Sequence, residues 1–109
     1  MNAFYAIYYT GQSGSGNMSL LLQDGKAIGL EASGGIVRGN YEMAEGGIDA
    51  NLSFNFIKGT QLVTGQSLEE DLSVPFSLKI SNSVLNGNTQ TADMPIGRVN
   101  FRMEKLSDL

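Results

Sequence analysis

The chain contains no cysteine, no histidine and no tryptophan, and only two of its 109 residues are proline. Without cysteine there can be no disulfide framework, thiol nucleophile or thiolate metal ligand. Without histidine as well, Ser-His-Asp triads, the common zinc sites and histidine-ligated haem are excluded. Positive charge is scarce too. Seven Lys and Arg stand against eleven Asp and Glu, a net charge of -4. That balance argues against nucleic acid, because neutralising phosphates needs a basic surface. No apolar run approaches the roughly 20 residues of a membrane helix. The opening MNAFYAIYYTG lacks the basic region and apolar core of a signal peptide, so a cytoplasmic protein without membrane contact is expected.

What the sequence does have is alternation. In GGIDANLSFNF (46–56), Ile48, Ala50, Leu52, Phe54 and Phe56 are apolar, and the residues between them are polar. This is the period of a strand with one face buried and one in water. Eight segments carry it, at about 3–10, 16–23, 26–32, 35–43, 47–57, 72–81, 84–91 and 97–105. Phase assigns Tyr5, Ile7 and Tyr9 inward on the first. Met18, Leu20 and Leu22 follow on the second, Ile28 and Leu30 on the third, and Val37, Gly39, Tyr41 and Met43 on the fourth. Leu72, Val74, Phe76, Leu78 and Ile80 are inward on the sixth, and Val99, Phe101 and Met103 on the last.

The joints are short. Asp24-Gly25 suits a two-residue hairpin turn of type I′. Ser33-Gly34, Glu45-Gly46 and Ser81-Asn82-Ser83 are turn clusters, and Pro95 should end the seventh segment. Fourteen glycines suit the bulges and bends of a curled sheet. The one long connection, 58–71, is long enough for a short helix near 67–71 or for a flap. Short hairpin links between eight strands predict a single all-β domain, 1–109. Its expected form is an eight-stranded antiparallel up-and-down barrel closed so that no edge is free.

Tyr5, Tyr9, Tyr41, Phe54, Phe56, Phe76 and Phe101 form the expected barrel interior. Their bulk favours a filled barrel over one holding a ligand. Few polar groups accompany them, and the tyrosine hydroxyls are expected to reach water at a barrel mouth. Two outer features break the polar coat. Phe4, Ala6 and Tyr8 share the outer face of the first segment, with Leu21 beside them, and form a candidate partner surface. Glu69, Glu70 and Asp71 are a candidate contact for a basic partner. The acids form no pair at an inward position, GQSGSG (11–16) lacks the ending of a phosphate loop, and neither cofactor nor metal is expected. The chain reads as a binding protein without catalytic residues. A filled barrel with an exposed patch would point to partner binding, and an open, empty one to a small-molecule carrier with a calycin-like cavity.

The order of elements resembles the GrlR-like negative regulators of bacterial type III secretion. The resemblance rests on FYAIYYTGQSGSGNMSLLLQDGKAIGLEASGGIVRGNYEM, with Asp24, Gly25, Lys26, Gly29, Val37, Gly39 and Tyr41 at the positions that carry it, and on FSLKISNSVLNGNT and GRVNFRMEKL later. It implies a lipocalin-like barrel, a homodimer, and repression by sequestering a transcriptional activator. In the family's best-known member the activator is held through an acidic Glu-Asp-Glu-Asp turn after the fourth strand. The corresponding turn here, Ala44-Glu45-Gly46-Gly47, has one acid, Glu45, and Glu69, Glu70 and Asp71 lie in a different loop.

Overall fold

The computed structural model describes every residue except Ser13, Val63, Thr64 and Ile96. The elements in chain order are β1 (Ala3–Gly11), β2 (Gly14–Gln23), β3 (Lys26–Glu31), β4 (Ile36–Ala44), β5 (Gly47–Phe56), β6 (Leu72–Ser81), α1 (Asn82–Leu85), β7 (Gln90–Met94) and β8 (Gly97–Asp108). Every paired strand is antiparallel to its neighbour, in the order β6-β5-β4-β3-β2-β1-β8-β7. The first strand pairs with the last, which curls the meander into a nearly closed barrel. The turn at Asp24-Gly25 forms as its residues require, with φ of 52° and 80°. Gly39 sits where a Cβ would lie 2.0 Å from the Asn51 carbonyl oxygen, so the close approach of β4 to β5 needs glycine there.

Closure is incomplete. β6 and β7 stand at the two ends of the ladder and do not pair with each other. α1 joins their ends, and the Gln90 side-chain amide donates to the Lys79 carbonyl at 3.0 Å across the seam. The expected barrel without free edges is therefore corrected to one with a lateral seam. Pro75 lies on β6, an edge strand, where a missing N–H is tolerated.

The segment expected as a strand at 84–91 divides. Its first part is α1, and only its last two residues belong to β7. The Ser81 hydroxyl accepts from the Val84 N–H at 3.3 Å, capping the helical turn. Val84 and Leu85 are both buried, which one helical turn allows and strand alternation does not. The connection 57–71 forms no helix at 67–71. It folds back on itself instead, with Gly59 N–H donating to Leu68 O at 2.9 Å, Leu68 N–H to Thr60 O at 2.9 Å and Leu62 N–H to Gln66 O at 2.8 Å.

Burial follows the expected phase on β1, β2, β5, β6 and β8. It is inverted on β3. Ile28 and Leu30 are 48% and 58% exposed, whereas Ala27 and Glu31 are buried. The hairpin register explains this: Leu22 pairs with Ala27, Leu20 with Gly29 and Met18 with Glu31, and cross-strand partners share a face. Met43 is 63% exposed because β4 runs past Asn40, where its pairing with β3 stops.

The two ends of the barrel differ. One carries the chain termini, the turns at Asp24-Gly25 and Glu45-Gly46, and α1. There Tyr5, Leu22, Ile48 and Met103 are fully buried and Val84 and Leu85 plug the opening. The other carries the β1–β2 and β3–β4 turns and the 57–71 loop, whose Thr60 and Leu62 are buried.

Candidate functional site

Three features stand out, and the barrel wall fixes the position of each. The first is an apolar band on the outer face of β1 to β4. Register places Phe4 opposite Leu21 and Leu21 opposite Ile28, with Ser19 opposite both Ala6 and Leu30, and Leu30 opposite Ile36. Phe4, Ala6 and Tyr8 face outward as expected, with Tyr5 and Ile7 buried behind them. The band is wider than the sequence reading, because the inverted phase of β3 adds Ile28 and Leu30. Tyr8, 39% exposed, is partly covered by the Arg102 guanidinium, 4.6 Å from its ring centre. An open depression of about 400 Å³ lies beside it, lined in part by Asn17, Asn100 and Arg102.

The second feature is the acidic loop, and its three acids are not equivalent. The Asp71 carboxylate accepts the Lys58 N–H at 2.9 Å and so ties the two ends of the loop together. Glu69 and Glu70 are exposed, and no ion pair among the described residues involves them. Glu45 is exposed at the far end of β5, on the order of 30 Å away for a ten-residue strand. The structure does not bring it together with Glu69, Glu70 and Asp71.

The third feature is the interior. Tyr5, Tyr41, Phe56 and Phe101 are buried, and Tyr9, Phe54 and Phe76 are half-buried against them. Phe54 stacks on Phe76 at 4.8 Å and on Phe56 at 5.6 Å. At the loop end these side chains leave a cavity of about 100 Å³, walled by residues such as Met18, Leu52, Phe76, Leu78 and Phe101. The expectation of tyrosine hydroxyls in water at a mouth is corrected. Tyr41 donates to the Met1 carbonyl and Tyr9 to Glu31 Oε1 at 2.7 Å. Burial, and then the hydrogen bond and charge of Glu31, push the Tyr9 phenol well above its ordinary value. Burial also raises Tyr5, against an opposing pull from Lys105.

Glu31 is the residue that sequence reasoning missed. It is 6% exposed and lines the cavity. Its second oxygen accepts from the Ser33 N–H at 2.9 Å and from the Ser33 hydroxyl. The ion pairs among the described residues, Arg98–Asp93, Arg102–Glu104 and Lys105–Asp108, leave it without a cation. The available signal was the Asp24-Gly25 turn. Counting outward from that turn pairs Met18 with Glu31 and turns both inward.

Among the described residues no group of three or more acids could hold a metal ion, and no helix is long and apolar enough to cross a membrane. No family model, curated protein or solved structure matches the chain.

Proposed function

We propose that this chain is a non-catalytic regulatory binding protein that acts in the cytoplasm as a homodimer and holds a protein partner, such as a transcriptional activator. The observation that carries this reading is the outer apolar band. Tyr8, Ile28, Leu30 and Ile36 are all exposed on one face of a small acidic barrel, and such a patch is better covered than wet. The interior supports the same choice. Its cavity of about 100 Å³ is well below the roughly 300 Å³ at which pockets for drug-sized ligands begin. A carrier of long or bulky cargo has no room here. The resemblance to the GrlR-like regulators points the same way, with the band covered by a second copy and the free carboxylates of Glu69 and Glu70 left for a basic partner.

The test separates the two surfaces. Leu30→Glu is expected to shift sedimentation toward the monomer while the β spectrum persists. Glu69→Ser with Glu70→Ser is expected to lose a partner captured from the native host at low salt, since contacts of this kind weaken with salt. An unchanged sedimentation coefficient removes the band from the account. An unchanged partner list removes the loop.

A further inference from the structure

We propose that the cavity at the loop end of the barrel binds a small organic cation, one ammonium group on a compact apolar body no larger than a single ring. Size sets the first limit. About 100 Å³ is of the order of the roughly 150 Å³ engineered cavity that takes up benzene, and too small for a lipid chain or a nucleotide. The wall sets the second. It is built from Ile7, Leu20, Leu52, Phe54 and Phe101, so most of the ligand must be apolar. Glu31 sets the third. It is a buried acid on the rim of this cavity, and it accepts three hydrogen bonds, from Tyr9 and twice from Ser33. A carboxylate offers about four lone-pair sites, so one is left. Neutral donors hold the group, but no positive charge compensates it among the described residues. A buried charge without a counter-charge is costly, and an ammonium in the cavity would supply one. An anionic ligand would meet Glu31 and be repelled.

The seam supplies the way in. Phe76 and Leu78 on β6, Met94 on β7 and Val99 on β8 line the cavity, and all four are only partly buried. Phe76, Leu78 and Met94 flank the gap where β6 and β7 do not pair, and Val99 lies one strand in from it. The inference does not depend on the outer apolar band or on a protein partner.

Nuclear magnetic resonance titration of the whole chain with benzylamine, benzyl alcohol and toluene tests it at neutral pH. Benzylamine is expected to bind saturably, shifting the amides of Glu31, Ser33 and Val99, and to bind about tenfold or more tightly than toluene. Glu31→Gln should bring that ratio close to one while toluene still enters, and Val99→Trp should block all three. Equal affinity of the wild type for benzylamine and toluene would overturn the proposal. So would no binding of any probe, or shifts confined to exposed acids such as Glu69 and Glu70. If Glu31→Gln does not fold, the wild-type ratio alone decides.

Discussion

The two ends of the barrel are made from the same strands and are finished in opposite ways. At the plugged end, Tyr5, Leu22, Ile48 and Met103 are fully buried and a capped helical turn seals the opening with Val84 and Leu85. At the loop end the interior is more aromatic and Val37 is fully buried, yet Tyr9, Phe54 and Phe76 are half-buried around a cavity, with the buried acid Glu31 at its edge. An apolar composition therefore does not by itself make a packed core. What fills the plugged end is α1, which has contacts with β5, β6 and β8. The loop end is covered by Leu62 from an irregular connection, and a side chain reaching over from a loop fills space less completely. Stability should concentrate at the first end. The second end, with its spare volume and buried acid, has what a binding site requires.

Substitutions of one chemistry at the two ends break or sharpen this contrast. Leu22→Ala should have the largest effect, a loss of about 3–4 kcal/mol in urea denaturation, because its neighbours cannot collapse into the space. Leu62→Ala, over the loop end and already beside a cavity, should cost only about 1–2 kcal/mol. Equal losses would mean that the loop end is as tightly packed as the plug. Ser81→Ala comes next, at about 1 kcal/mol, the usual loss for an N-cap oxygen. A negligible change would show that α1 is held by Val84 and Leu85 alone.

The smallest effect at ordinary pH belongs to Tyr9. Its phenol is raised in the folded state from an unfolded value of 10.0. A raised phenol leaves the folded state favoured without loss below pH 10.0. Above that, the unfolded chain gives up the proton and the folded one keeps it, so stability falls as pH rises. Denaturation midpoints should thus be level up to about pH 10 and decline beyond it, and Tyr9→Phe should flatten the decline. A decline unchanged by Tyr9→Phe would assign it to another group.

Much of this fold is legible from alternation. β5, and β6 and β8 apart from Pro75 and Leu106, separate apolar and polar residues between their two faces, so their phase and most of the core can be read directly. β3 misleads, because Ile28 and Leu30 are more apolar than Ala27, Gly29 and Glu31, and composition outvotes register. The hairpin turn at Asp24-Gly25 holds the correct answer, since a two-residue loop fixes which residues pair. That one inversion conceals both the width of the outer band and the inward acid. The division at Ser81 is hidden for a different reason. Val84 and Leu85 suit either a strand or a helical turn, and only the capping geometry decides between them. The acidic run shows three equivalent charges in the sequence, and nothing local reveals that Asp71 is engaged by the Lys58 backbone.

Native-state amide hydrogen exchange on the whole chain tests the contrast between the ends most directly, because it reports local and global opening residue by residue. The account predicts that the amides of Tyr5, Leu22 and Met103 exchange only through global unfolding. The amides of Gly59, Leu62 and Leu68 in the loop, and of Met94 beside the seam, should exchange through openings of much lower free energy. Uniform protection at both ends, all tracking global stability, would contradict it.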